Sequence, residues 1–291
     1  MQKAYYKDYY QWSENHWWFL ARQSIVLRLL GLCPGTNKNM VVLNIGCADS
    51  MKKISQALAP EHWVHLDIHH QTVRHALGHH PNSIGIQADC HQLPFKDSSF
   101  DIIFLLDVLE HLEDDENVLE NLFRICKQGG KIFLTAPAYS WLWGRQDIIS
   151  NHFRRYTKKG LKTLISKTSF HLEKISYFNF FLFPLIAFYR LILRFYSSVH
   201  KIVEFAPRMN GTNNPGGVSP RGSPIPKTCI QENRLRRSVV VYSSKTVISD
   251  FSINNRFLNI IFFYLFQTEK YFLKKLNFPC GVSLMCLCKK K

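Results

Sequence analysis

Four short apolar runs in the first 110 residues each stop at a glycine or an aspartate. Residues 40–45 end at Gly46, residues 63–68 carry Asp67 near their end, residues 83–88 run into Asp89, and Phe100–Leu106 runs into Asp107. The last of these is apolar throughout, which is what a parallel strand covered on both faces requires. Helix-compatible segments follow the first run as far as Leu58 and the fourth run around 114–127. Residues 131–135, after Gly129-Gly130, form a fifth apolar run, and a helical stretch at 157–168 leads to a sixth at 171–177. Strand and helix in alternation predict an α/β fold with a doubly wound parallel sheet.

The flanks are less regular. Residues 5–30 read as one helix containing the cluster His16-Trp17-Trp18-Phe19 and stopped by Gly31, Pro34 and Gly35. Residues 178–203 are apolar and aromatic with Arg190 and Arg194 among them, 256–276 regain helical character, and 282–288 suit a last strand. Five prolines and four glycines in 207–227 predict a linker or disordered loop. The longest apolar stretch, 178–189, has 12 residues and includes Asn179 and Pro184. A membrane span needs about 20, so no conventional transmembrane helix is expected. Residues 1–15 contain no apolar h-region, so a signal peptide is not expected either and the expected location is the cytoplasm.

Composition narrows the classes further. A chain of 291 residues that is 46% hydrophobic and 20% charged has material for a core, which excludes disorder throughout. Its net charge of +16 is unevenly placed: residues 1–150 hold 13 Lys/Arg against 16 Asp/Glu, whereas 151–291 hold 24 against 5. The basic half therefore suits an anionic partner, membrane headgroups or nucleic acid. The absence of any RNA-binding or helix-turn-helix signature weighs against nucleic acid, and two apolar-then-basic segments favour an anionic membrane surface. The eight cysteines contain no C-x-x-C pair and no paired Cys/His spacing of the zinc type, so no metal site is expected and free thiols are the plain reading. The sequence carries no signal for an oligomeric state.

A strand, a glycine turn, a helix and then a carboxylate ending the next strand make a nucleotide-type binding plan. The turn lets backbone N–H groups approach a ligand, and the carboxylate takes ribose hydroxyls. Here it is 41–50, with Gly46 in the turn and Asp67 some 20 residues on. Four further groups follow in order: Ala88-Asp89-Cys90 with Leu93-Pro94-Phe95, Ser99-Phe100-Asp101, 106–112 (LDVLEHL), and Gly129-Gly130-Lys131. Together these residues resemble the class I S-adenosylmethionine-dependent methyltransferases of the small-molecule type 11 and type 12 domains. The resemblance covers about 40–178. His16-Trp17-Trp18-Phe19 with Arg22 is similar to the opening helix of one subgroup, 152–157 (HFRRYT) to its H-x-R-R-Y-T signature, and 279–284 to its terminal strand.

The resemblance implies a Rossmann-like seven-stranded sheet, mostly parallel with an antiparallel last strand, and a long helical insertion before that strand. The implied organisation is an N-terminal helical segment at 1–39, the core at 40–178, a basic insertion at 179–278 and the terminal strand at 279–291. It implies methyl transfer with S-adenosylmethionine as cofactor; with the basic, apolar insertion, the expected acceptor is a small molecule, lipid-linked or saccharide, met at the membrane surface. Asn44, Gly46, Cys47 and Ala48 would lie beneath the methionine moiety, Asp67 and Ile68 at the ribose, Asp89 and Cys90 at the adenine, and Leu106 and Asp107 beside the cofactor. His111, His152 and Tyr156 are the catalytic candidates, Arg154 and Arg155 an acceptor clamp, and Trp17 and Trp18 a lid. Each of these side chains also has a plainer reading, as a solvated surface group or as core. Asn44, Ala48 and Ser50 depart from the family, which usually has an acidic residue at the first position and glycines at the other two. A non-catalytic member serving as a binding or scaffold protein is the alternative.

Overall fold

The computed structural model describes residues 3–31, 39–204 and 255–291. Backbone contacts divide the chain into two compact units, Met1–Leu193 with Ile248–Lys291, and Arg194–Val247. The loop expected at 207–227 lies outside the described residues.

Seven strands form one sheet in the first unit: β1 (Val41–Ile45), β2 (His62–Asp67), β3 (Ile84–Gln87), β4 (Phe100–Leu106), β5 (Cys126–Pro137), β6 (His171–Phe178) and β7 (Ser283–Lys289). Their order is β3-β2-β1-β4-β5-β7-β6. The first five pair in parallel, with Leu43 opposite both Val64 and Ile103. β7 runs antiparallel between β5 and β6, placing Leu287 beside Phe133 and Lys174. This is the mixed doubly wound sheet expected from the sequence. Its central strands are buried on both faces, and Val42, Leu43, Ile103, Phe104, Ile132 and Leu134 fill the core.

Three local expectations change. The N-terminal helix is two helices, α1 (Lys3–Asn15) and α2 (Trp17–Leu30), because His16 is extended and its Nδ1 accepts the Trp18 N–H at 3.3 Å as an N-cap. The glycine pair at 129–130 does not precede β5 but lies within it, with Gly129 at φ +77° donating its N–H to Lys290 O. The helix expected at 256–276 breaks at Thr268 into two shorter ones, introduced below. Between β1 and β6 the helices are α3 (Lys52–Leu58), α4 (His70–His79), α5 (Asp115–Ile125), α6 (Arg145–Ile149) and α7 (Lys158–Ser166). Thr157 caps α7 by accepting the Gly160 N–H at 3.0 Å.

The insertion leaves β6 at Asn179, continues as α8 (Phe183–Glu204) and returns through α9 (Arg256–Gln267) and α10 (Glu269–Leu273). Pro184 sits in the first turn of α8, where its missing N–H costs nothing. The buried Glu269 carboxylate accepts the N–H groups of Asn179, Phe180 and Phe181 at 2.8, 2.7 and 3.1 Å, tying the returning segment to the point of departure. At Gly281 any Cβ would stand 2.4 Å from the Phe178 carbonyl oxygen, so only glycine lets the chain pass into β7 there. One face of α9 packs on α2, where Phe266 stacks on Trp18 at 5.1 Å and Asn259 Oδ1 accepts the Trp17 N–H at 2.7 Å. Among the described residues no helix is long and apolar enough to cross a membrane.

Candidate active site

The direction of chain winding reverses between β1 and β4, and the edge outside their C-terminal ends is the place where α/β sheets bind ligands in a crevice. Gly46 turns out of β1 at φ +72°, and a Cβ on it would lie 2.3 Å from Val108 Cγ2. Only a bare Cα fits against the end of β4. Asp67 ends β2 with its carboxylate accepting the His69 N–H at 2.8 Å. Burial raises its pKa, and the surrounding backbone N–H groups oppose that shift. Cys47 turns its side chain into a small cluster with Val73 and Ala76, where burial pushes its thiol up. Ala48 is half-buried, Leu106 buried and Ile68 exposed. Asp89 follows β3 exposed, accepting the His91 N–H at 2.9 Å, and Cys90 beside it is buried.

Arg22 of α2 enters this crevice fully buried. Its Nη2 donates to Asp49 Oδ2 at 2.7 Å and its Nη1 to Asp107 Oδ2. Burial opposes its charge, but the two carboxylates outweigh burial and raise its pKa. Thr135 Oγ1 donates to the other Asp107 oxygen at 2.9 Å, extending the network to β5. Asp49 was not among the residues singled out in the sequence. Its signal was indirect: a carboxylate in a short turn bounded by buried apolar residues needs a cation, and the apolar helix preceding it carries two arginines, Arg22 and Arg28. Asn44 points elsewhere. Its Nδ2 lies 3.4 Å from Nδ1 of the buried His65, which also accepts the Trp63 Nε1–H at 3.2 Å.

Past β4, a single 3₁₀ turn at Leu109–His111 meets the loop that carries His152. The rings of His111 and His152 lie edge to face at 4.6 Å, and His152 Nδ1 bonds Asp147 Oδ1 at 2.9 Å. Arg155 grips the same carboxylate through Nε (2.7 Å) and Nη2 (2.9 Å), and the Gly144 N–H adds a bond at 2.7 Å. These contacts overcome burial and hold the Asp147 carboxyl at about 2. Glu110, 1% exposed, has no such cation in contact; burial and the nearby Asp107 charge raise it well above the ordinary range. Burial and His152 push His111 down to about 3, leaving it neutral.

Five of the side chains expected in acceptor or acid–base roles spend their polar or apolar surface on structure. Arg155 is committed to Asp147, and Arg154 donates to Asp115 (2.9 Å) and to Glu113 O (2.7 Å). The buried Tyr156 hydroxyl donates to Asp115 at 2.7 Å, and burial together with that bond raises its pKa, which removes it from proton transfer. Trp18 is core, stacked between Phe178 and Phe266, and Trp17 packs edge-on against Phe262 and Phe266. Asp115 and Asp147, which organise the loop, were not singled out in the sequence and carry no spacing signal.

Residues 43–134 match the family described as Methyltransferase domain. A probable S-adenosylmethionine-dependent methyltransferase of Mycolicibacterium smegmatis is 25% identical over 163 residues, 55% of this chain and 62% of the relative. The ubiquinone/menaquinone biosynthesis C-methyltransferase UbiE of Pasteurella multocida is 31% identical over 111 residues, 35% of this chain and 41% of that protein. Among solved structures, a complex between the Haloferax volcanii Trm112 methyltransferase activator and a methyltransferase aligns with a TM-score of 0.50, 16% identity and coverage of 60% of this chain and 76% of that one. Residues 43–134 thus resemble a methyltransferase domain, and the sheet shares the fold of a solved methyltransferase. It spans less than two thirds of the curated relatives cited here. The family match ends at residue 134, so the H-x-R-R-Y-T loop, β6, the insertion and β7 lie outside the matched segment.

The Asp147 contacts set a pH dependence. Its carboxyl is depressed below the ordinary 3.8, so the stabilisation it supplies is present above that value and is lost as pH falls through about 2. Asp147→Asn leaves Arg155 buried without its charge partner and should cost about 3–5 kcal/mol at neutral pH. In denaturant titrations the gap between wild type and variant should narrow as pH drops from 4 towards 2. A gap that stays constant would show that Asp147 is not the titrating group.

Proposed function

We propose that this chain is an S-adenosylmethionine-dependent methyltransferase acting on a small-molecule acceptor. The observation that carries the reading is the Gly46 turn, which comes so close to Val108 that no side chain fits, with the Asp67 carboxylate ending the adjacent strand. Those two features suit an adenosyl ligand: bare backbone beneath its chain and an acceptor for its ribose hydroxyls. The charged groups on this edge, Arg22, Asp49 and Asp107, are the ones that would hold the ammonium and carboxylate of the methionyl end, a role for which Asn44 faces the wrong way. When bound, the cofactor supplies an electrophilic methyl group on a sulfonium. Transfer then needs alignment, exclusion of water and, for a hydroxyl or amine acceptor of high pKa, removal of a proton. With Nδ1 of His152 held by Asp147, its Nε2 faces Glu110 Oε1 at 3.9 Å.

The acceptor reaches the site at an anionic membrane surface in this reading. Phe188 on α8 and Phe257 on α9 are 64% and 70% exposed, Leu185 and Tyr264 are exposed beside them in sequence, and Lys274 and Lys275 follow exposed after α10. Exposed apolar groups next to cations suit the headgroup boundary, with about 1 kcal/mol gained per basic residue.

Calorimetric titration with S-adenosylmethionine tests the first part. Asp67→Ala should weaken binding by on the order of 1–3 kcal/mol through lost ribose contacts. No binding to the wild-type chain would leave the non-catalytic binding protein as the better reading, and equal affinity of the variant would remove Asp67 from the site. For the second part, sedimentation with anionic vesicles should pellet the full chain in a salt-sensitive way, since headgroup attraction is screened within about 8 Å at physiological ionic strength. Phe188→Ser with Phe257→Ser should reduce pelleting. Equal pelleting with neutral vesicles, or none with anionic ones, would take the membrane out of the reading.

A further inference from the structure

Beside the crevice, Glu110, His111 and His152 bring one ligand-type atom each to within 4.8 Å of one another. Three features distinguish the group from a chance meeting of polar side chains. First, Glu110 is buried and its Oε2 has no hydrogen-bond partner, although a buried carboxylate oxygen left bare is costly. Second, the base facing it is an imidazole: His152 Nε2 stands 3.9 Å from Glu110 Oε1, and the Arg155 guanidinium is taken by Asp147 and by Ala138 O. Third, each imidazole is fixed from behind. His152 Nδ1 is held by Asp147 Oδ1 and His111 by the Ser150 backbone, which turns the remaining ring nitrogens towards the shared space. A carboxylate or carbonyl behind a histidine is the arrangement that orients metal-ligating imidazoles.

We propose that Glu110, His111 and His152 bind a divalent transition-metal ion of the zinc and cobalt class. Two neutral imidazoles and one carboxylate are a ligand set these ions take, with bonds of about 2.0–2.2 Å and a fourth position left for an oxygen ligand. The side chains must close by rotamer adjustment from their 4.8 Å spacing to reach those bonds. The ion would neutralise the carboxylate that the protein itself leaves bare. No Cys/His spacing in the sequence announces the site, because Glu110 and His111 are adjacent and His152 joins them only through the loop that Asp147 organises. The site does not depend on the methyl-transfer reading, and its test reads the ion directly.

A second cluster, Glu14, His75 and His79, is the natural control, since its Glu14 is already paired with His79 at 3.0 Å. A third group, Asp89, Cys90 and His91, is disabled alongside it: the full chain carrying His75→Ala, His79→Ala and His91→Ala, stripped with chelator, is dialysed against Co2+ with and without Glu110→Gln. It should bind one equivalent of Co2+, and Glu110→Gln should weaken that binding by more than tenfold. In the wild-type chain the same ion should broaden the ring-proton NMR signals of His111 and His152, a readout that does not rely on any variant folding. Absence of bound Co2+, affinity unchanged by Glu110→Gln, or ring signals that do not respond would each overturn the proposal.

Discussion

Arg22 reaches from the second helix into the C-terminal edge of the sheet and finds Asp49 on one side and Asp107 on the other. Taking three charged groups out of water costs several kcal/mol per ion unless each is matched, so α2 has one place to dock. Asp107 passes the constraint to β5 through Thr135, and Asp49 passes it to the turn after β1. The same helix then places Trp17 and Trp18 against Phe178 and Phe266, which is how the returning insertion finds the core. A helix preceding the sheet in sequence thereby shapes the turn after β1, the end of β4 and the docking of α9.

The loop beyond β4 shows the opposite use of burial. Asp147 and Glu110 are buried carboxylates on either side of the His152 ring, yet one is held at about 2 and the other is raised. The difference is Arg155, whose guanidinium and the Gly144 N–H surround Asp147 and leave Glu110 facing imidazoles. Two carboxylates driven apart in this way mark where the fold accepts an electrostatic cost, and such costs concentrate at sites that act on ligands.

The sheet was legible because β1 and β4 are short apolar runs buried on both faces, and because the first four strands run into Gly46, Asp67, Asp89 and Asp107, signals that depend on local sequence alone. Its last strand was legible through resemblance rather than periodicity. Breaks inside helices were not: the His16 cap is a single side-chain bond that leaves the apolar spacing on either side intact, and the spacing carries no mark of the division at Thr268. Gly46 and Asp67 were readable as a turn and a strand end, because backbone shape and strand position leave local signals. Asp49, Asp115 and Asp147 were missed, and Arg154, Arg155 and Tyr156 were given acceptor-facing or catalytic roles, for one reason. Which cation a buried carboxylate meets is decided by tertiary packing across 27, 39 and 8 residues of chain, and no spacing rule records it.

The central claim is that the cofactor lies across the ends of β1, β2 and β4, in the crevice that Arg22 helps to build. Hydrogen–deuterium exchange of the full chain with and without S-adenosylhomocysteine tests it most directly. Slower exchange in peptides covering 46–51, 67–70 and 107–111, with α8 and α9 unchanged, is the predicted result. Unaltered exchange in those three segments at saturating ligand would contradict the account.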